Sequence, residues 1–354
     1  MTICRTRNGV RKLATTKWSA AVQVAAVYVG TVVGAGFATG KEIVEFFTQY
    51  GPLGLLGILI SGILFIWLGT RMMVIASRIK ASSYKELNDY LFGKTISSVV
   101  TVVMMLIALG TTSVMLSGAG AIFEEQLGVS KQLGVFVTIF LTFIVMLFGL
   151  KGLFSVNVVI VPMMLLFSLS TSVITLFDLE ICTAVSVYTS SFKWVLSPFA
   201  YVAFNLAMAQ IVLVPLASEI EDEQTIKRGA ILGGLLLFIV LVSIHISLSV
   251  LPDLLQYDIP MAEVVKTFFI PFYWLYILVI YGEIFTSLIG GIFGLQRQLH
   301  NFFSIPNIVL LSILLLIVYV ISLVDYGSLL SFLYPLFGYI SILFLIFLVC
   351  RKVP

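Results

Sequence analysis

The stretch YVGTVVGAGFATGKE, residues 28–42, lies where a first membrane-spanning helix is expected, yet it contains Gly30, Gly34, Gly36 and Gly40. A glycine in a helix interior costs about 1 kcal/mol relative to alanine. Inside a bilayer, irregular backbone persists only where it is buried in protein or lines a cavity. The clustered glycines therefore predict an interrupted helix beside a binding site. Close packing of helices through small residues is the alternative interpretation.

The composition is that of a polytopic membrane protein. Apolar residues make up 60% of the chain and charged residues only 10%, with a mean hydropathy of +1.14. Soluble domains average about 25% charged residues. At about 20 residues per span, 354 residues hold ten spans and short loops, with no further soluble domain.

Apolar runs bounded by charge or proline predict an all-α fold of ten transmembrane helices. The sequence divides into a cytoplasmic segment 1–17, a first five-helix repeat 18–178 and a second five-helix repeat 194–351. The predicted spans are 18–48, 52–77, 96–123, 132–150, 153–177, 194–218, 229–251, 272–294, 306–324 and 327–350.

The placement of lysine and arginine predicts that both termini are cytoplasmic. With ten spans and an inner N-terminus, 16 of the 20 basic residues fall on the inner side. The four on the outer side are Lys41, Lys131, Lys193 and Lys266. This bias follows the positive-inside rule and predicts a multi-pass protein of the plasma membrane.

The two halves repeat with nearly constant spacing. Tyr28 opens YVGTVVGAG and Tyr201 opens YVAFNLAMA, an offset of 173 residues, and later spans are offset by about 175. Because five is odd, the second copy enters the membrane from the opposite side, which makes an inverted repeat. The sixth span contains Pro198, Asn205 and Pro215, so we expect it to be broken like the first.

An unwound first span would expose carbonyls that suit a cation and amides that suit a carboxylate. We therefore expect Gly34, Ala35, Gly36 and Phe37 to bind substrate.

The chain resembles a known group at this point. Five-plus-five spans with breaks in the first and sixth resemble the LeuT fold of the amino acid–polyamine–organocation superfamily. GTVVGAGFATGKEIVEFF, residues 30–47, is similar to the signature of YkvI-type membrane proteins. The resemblance covers essentially the whole chain and implies no particular substrate.

The resemblance also implies an ion site. In sodium symporters of this fold, a cation often lies between the first span and two hydroxyls of the eighth. The matching residues here would be Gly30 and Val33 with Thr286 and Ser287. Their alternative role is hydrogen bonding within their own helix.

Glu283, on the same face of the eighth span, is a candidate for carrying a proton, ligating the cation or binding a substrate amine, because intramembrane acids usually mark ion or proton paths. A structural hydrogen bond to a neighbouring helix is the alternative role for Glu283.

The sixth span supplies two further candidates for substrate binding. By resemblance, Phe204 would close over the substrate and Asn205 would lie beside it. An ordinary packing role is the alternative for Phe204. A buried amide such as that of Asn205 must find hydrogen-bond partners.

These features predict an ion-coupled secondary transporter of a small organic solute, with amino acids or related carboxylates as the leading class. Sodium or a proton would be the coupling ion, and no other cofactor is expected. The alternative is a membrane receptor that binds a nutrient without moving it. Neither H-E-x-x-H nor G-x-S-x-G occurs, so we expect no enzymatic activity, and nothing indicates nucleic acid as a partner.

Overall fold

A computed structural model describes residues 17–148, 153–177, 192–268, 270–300 and 306–354. Fourteen α-helices occur among these residues, and no strand does. The helices are α1 (Lys17–Val32), α2 (Ala35–Thr39), α3 (Lys41–Phe46), α4 (Pro52–Arg78), α5 (Tyr84–Phe92), α6 (Lys94–Ala121), α7 (Lys131–Phe148), α8 (Leu153–Phe177), α9 (Ser197–Glu219), α10 (Glu223–Ser249), α11 (Pro260–Phe268), α12 (Tyr273–His300), α13 (Asn307–Ser322) and α14 (Tyr326–Cys350).

Each predicted span coincides with one of these helices, or with α1–α3 in the case of the first. In the described part of the chain, six helices are long and apolar enough to cross a membrane. Four more apolar helices are shorter: Ala20–Val32, Lys131–Leu147, Pro162–Phe177 and Asn307–Ser322. The chain is thus an all-helical membrane protein. The count of ten spans and the division into two repeats remain predictions.

Two segments of the predicted organisation fall largely outside the described residues. They are the cytoplasmic segment 1–17, of which only Lys17 is described, and the connection between the two predicted repeats.

The helices pack as two groups. The first group consists of α1, α4, α9 and α10, and the second is built on α6 and α12 with α7 and α13 beside them. Tyr28 ties the first group together, because its buried hydroxyl donates a 2.9 Å hydrogen bond to the Phe65 carbonyl of α4. The short α2 segment packs against α12 of the second group. The interrupted first span therefore lies where the two groups meet.

Small residues allow the close approach of helices within the first group. A Cβ built at Gly234 of α10 would lie 2.9 Å from both the Cα and the N of Ile66 in α4. Backbone atoms cannot move aside as a flexible side chain does. Gly234 is thus a contact point between the two helices.

Polar side chains and helix caps hold the connecting segments. Ser83 caps α5 by accepting a hydrogen bond from the Glu86 N–H, and the Ser82 N–H bonds back to the Glu86 carboxylate at 2.7 Å. The Ser-x-x-Glu spacing of these residues is that of a capping box, and here it begins the short helix α5. At the same end, Arg71 donates to the Leu348 carbonyl at 2.7 Å and satisfies the C-terminus of α14.

Gly234→Ala is expected to destabilise the protein, because its added methyl group collides with the backbone of α4. Overpacking of this kind costs about 1–3 kcal/mol. The measurement is the unfolding temperature of the purified protein in detergent. Gly294→Ala is the matched control, since no described atom lies within 4 Å of its Cβ position. Equal unfolding temperatures for the two variants would contradict the close contact between α4 and α10.

Candidate functional site

The first span is interrupted twice. Helix α1 ends at Val32, Gly34 is extended (φ −141°, ψ −164°), and α2 begins at Ala35. Helix α2 ends at Gly40, which has φ of 78°, and α3 follows directly. A positive φ suits glycine because it has no Cβ. Two of the four clustered glycines therefore lie at the joints of a five-residue segment.

The predicted break in the sixth span was wrong. Helix α9 continues through Phe204 and Asn205 without interruption. The Asn205 amide Nδ2 donates to the Tyr201 carbonyl one turn earlier at 3.1 Å, a bond compatible with regular helix. No glycine lies within α9 to favour unwinding, and Pro198 falls in its first turn, where proline is tolerated.

Phe204 and Asn205 face different neighbours. The Phe204 ring packs 4.8 Å from the ring of Tyr334 and 6.4 Å from that of Phe337, both on α14. The Asn205 amide reaches the first span, where Nδ2 donates to Glu42 Oε1 at 3.3 Å. Of the two, Asn205 alone has a described hydrogen bond to the interrupted span.

The predicted sodium residues are only partly brought together. A Cβ at Gly34 would lie 3.8 Å from Ser287 Oγ, so Ser287 borders the interruption, and Val33 is buried beside it. The Thr286 hydroxyl donates to the Glu283 carbonyl of its own helix at 3.2 Å. Gly30 has no described atom within 4 Å of its Cβ position. The described residues bring together no group of three His, Cys, Asp or Glu side chains that could hold a metal ion.

Glu283 lies on the face of α12 that follows the interrupted span. The Tyr276 hydroxyl donates to the Ala38 carbonyl at 2.9 Å, and Ser287 borders Gly34. Glu283 is seven residues from Tyr276 and four from Ser287, so the three share one stripe of the helix. Its side chain is buried, with 2% exposure, and Oε2 has no hydrogen-bond partner among the described residues. An unpaired acid therefore faces α2.

One side of the interruption is open. No described atom lies within 4 Å of a Cβ built at Gly30, Gly290 or Gly294, and Gly290 and Gly294 are exposed. We call the space beside these three glycines the inner cleft. Gly30 lies in the last turn of α1, and Gly290 and Gly294 lie three and seven residues after Ser287, on its face of α12. Glu283 lies one helical turn before Ser287 on the same face and is buried.

The opposite side of the interruption is closed by polar contacts. Lys41, 5% exposed, donates from Nζ to the Tyr257 carbonyl at 2.6 Å and the Leu255 carbonyl at 3.2 Å. The Asp258 carboxylate accepts from the Gly327 N–H at 3.0 Å. We call these five residues the outer seal, since charge counting predicts that this end faces outward.

Neighbouring groups extend the outer seal. Glu125 accepts from the Asp258 N–H at 2.9 Å, and the Thr39 and Tyr326 hydroxyls lie 2.8 Å apart. Burial raises the pKa of the Asp258 carboxyl, while Lys41 acts in the opposite direction. Four separate parts of the chain therefore meet at this end.

Glu42 is a site residue that sequence reasoning left without a role. It belongs to α3, is 5% exposed, and extends back over Gly36. In the sequence it follows Lys41 directly, and two adjacent charged residues are typical of a helix end that is exposed to water. The signal that could have identified it is the spacing of six residues from Gly36, which has no side chain to exclude the carboxylate.

Comparison with known proteins places the chain in a family. The family model described as spore germination protein matches residues 20–328. The membrane protein YkvI of Bacillus subtilis (strain 168) is 49% identical over 335 residues, covering 94% of this chain and 96% of YkvI.

Solved transporters share the fold at low sequence identity. A mutant of the Eremococcus coleocola manganese transporter matches with a TM-score of 0.60 and 15% identity, over 97% of this chain and 81% of that one. Mhp1, a nucleobase-cation-symport-1 family transporter, matches with a TM-score of 0.58 and 12% identity, over 88% and 74%. Taken together, the sequence matches show that the chain belongs to the spore germination protein family, in its YkvI-type group, and the structural matches show that it has a LeuT-like transporter fold.

Proposed function

We propose that this protein is an ion-coupled secondary transporter of a small organic solute, with amino acids and their relatives as the leading class. In this proposal ten helices form two inverted five-helix repeats in the plasma membrane, and both termini are cytoplasmic. The solute binds beside the interrupted first span, near Gly34–Phe37 and Asn205. Transport proceeds by alternating access around this midplane position.

The observation that carries the proposal is the asymmetry around the interruption. The three glycine positions of the inner cleft have open space beside them, while the outer seal closes the opposite side with polar contacts. A carrier must have one side closed while the other is open, whereas an open channel connects both. The arrangement therefore supports an inward-facing state of a carrier.

Glu283 is the proposed site of ion coupling. A carboxylate is expensive inside a membrane, and such residues commonly serve proton or ion paths. Its Oε2 has no hydrogen-bond partner among the described residues, and in this proposal a proton reaches it from the cytoplasm through the inner cleft. We favour a proton on this ground.

Sodium bound by Gly30, Val33, Thr286 and Ser287 is the alternative coupling ion. The Thr286 hydroxyl uses its proton within its own helix and keeps lone pairs for a cation.

A receptor that binds a solute without moving it is the second candidate function. The match to a family described as spore germination protein favours it, because that description names a response rather than transport. Saturable binding without accumulation or exchange in vesicles would support the receptor over the carrier.

Uptake in proteoliposomes tests the carrier. We expect a radiolabelled amino-acid mixture to accumulate when the external pH is lower than the internal pH. Glu283→Gln should abolish this pH-driven accumulation and leave solute exchange at equal pH. Glu124→Gln, which changes an exposed acid, is the control.

The same vesicles separate the two ions. Accumulation that needs external sodium and disappears in Thr286→Ala or Ser287→Ala would replace the proton with sodium. Absence of accumulation and of exchange, with binding retained, would reject the carrier.

Lys41→Met is expected to open the outer seal, because the Leu255 and Tyr257 carbonyls lose their charged donor. A hydrogen bond to a charged group contributes about 1.5–3 kcal/mol, so the outward-open population should rise by about tenfold or more. The measurement is the labelling rate of Ala38→Cys by an impermeant maleimide, with the native cysteines replaced by serine.

Lys266→Met is the matched control for this measurement. Lys266 lies at the same end of the protein but pairs with Glu263 outside the outer seal. Identical labelling rates in the Lys41 and Lys266 variants would show that the Lys41 contacts do not hold this end closed.

A further inference from the structure

The carboxylate of Glu42 lies against the backbone of the interrupted span. A Cβ built at Gly36 would be 2.1 Å from Glu42 Oε2, so any side chain there would displace the acid. The other oxygen, Oε1, accepts the hydrogen bond from Asn205 Nδ2. Glycine at position 36 therefore creates the space in which an acid from α3 meets α9.

A second polar group faces the same position. The Tyr201 hydroxyl lies beside the Glu42 carboxyl, is fully buried, and makes no hydrogen bond to any other described group. Tyr201 and Asn205 are one helical turn apart and share a face of α9. The Tyr201 oxygen accepts no hydrogen bond from a described donor, so its lone pairs are available to a donor group of a ligand.

Aromatic rings surround this pair. The Tyr201 ring lies 4.8 Å from that of Phe47, 5.1 Å from Phe46 and 6.3 Å from Phe37. Aromatic faces attract cations, and the attraction strengthens when water is excluded. The site thus combines a carboxylate, a free hydroxyl oxygen and a low-dielectric aromatic wall.

We propose that Glu42, Tyr201 and Asn205 form a subsite for the ammonium group of the solute. This inference rests on the proposed function and narrows its substrate class to solutes that carry a primary amine. An ammonium group has three donors and no acceptor, which matches the oxygens of Glu42 and Tyr201. The Asn205 amide orients the carboxylate. A carboxylate placed at Gly36 would instead meet the like charge of Glu42.

An organic ammonium fits this subsite better than a metal ion does. Calcium and magnesium take six or more oxygen ligands, commonly from several carboxylates. Glu42 is the single acid in this set, and the described residues bring together no group of three His, Cys, Asp or Glu side chains at any point. One carboxylate with a hydroxyl and aromatic rings matches a bulky, monovalent cation.

The subsite and Glu283 lie on opposite faces of α2. Gly36 faces Glu42, whereas Ala38, whose carbonyl accepts from the Tyr276 hydroxyl of α12, is two residues further and about 200° around α2. Glu42 therefore approaches α2 from one side and Glu283 from the other. The two buried acids have separate roles in this arrangement, with Glu42 for the solute and Glu283 for the coupling ion.

Thermal unfolding of the purified protein tests the subsite with matched probes. The probes are L-alanine, ethylamine and propionate, and L-leucine, 3-methylbutylamine and 4-methylpentanoate. We expect the amino acids and amines to raise the unfolding temperature and the two carboxylates to leave it unchanged. A ligand that binds only the folded state stabilises it by RT ln(1 + L/Kd), where L is the probe concentration, so a probe that binds raises the unfolding temperature as its concentration exceeds Kd.

Glu42→Gln should weaken amine binding by about tenfold or more, because it removes the charge while keeping the shape. Tyr201→Phe removes only the hydroxyl and should weaken binding by a smaller factor. Glu45→Gln is the matched control, since this half-buried acid lies one turn further along α3. The unfolding temperature and gel-filtration profile without probe report whether each variant folds.

Three outcomes would overturn the subsite. They are carboxylate probes that bind as tightly as amines, amine binding equal in the Glu42 and Glu45 variants, and no stabilisation by any amine. Stabilisation by manganese or potassium chloride in place of amines would assign the acid to an inorganic cation and also reject it. Amine-selective binding without uptake in vesicles would reject the carrier and keep the subsite.

Discussion

A backbone that leaves helical geometry inside a membrane must find its hydrogen bonds in the surrounding protein, and the architecture depends on this constraint. The interruption at Gly34 lies between two packed groups of helices instead of facing lipid. Tyr276 supplies a donor to the Ala38 carbonyl, and Tyr28 holds α1 against α4 on the other side. Without these long-range partners the first span would return to regular helix, and the site beside it would be lost.

The sequence predicted the helices well because hydropathy and charge act locally along the chain. The predicted spans coincide with described helices, and the Ser83 cap forms as its spacing indicates. The break at residues 33–34 was also predictable, since glycine lowers the cost of unwinding.

Tertiary contacts decided the features that the sequence did not predict. Pro198 and Asn205 resemble helix breakers in isolation, yet the Asn205 amide is satisfied by its own helix and by Glu42. Glu42 itself resembles a residue near a helix end in water. Glu42 is buried because its side chain packs over Gly36, and the periodicity of apolar residues along the chain does not reveal that contact.

The five residues of α2 also form a short segment that can move relative to its neighbours. Gly34 has an extended backbone and Gly40 a left-handed one, so a non-helical joint bounds the segment at each end. Few backbone hydrogen bonds are described at these joints. The Phe37 and Ala38 N–H groups donate to the Gly34 carbonyl, and the Val44 N–H donates to the Gly40 carbonyl. A segment held in this way can tilt relative to α1 and α3, the helices on either side of it. Because the Glu42 carboxylate lies over Gly36 and the Tyr276 hydroxyl bonds to the Ala38 carbonyl, a tilt of the segment would change its distance to both groups.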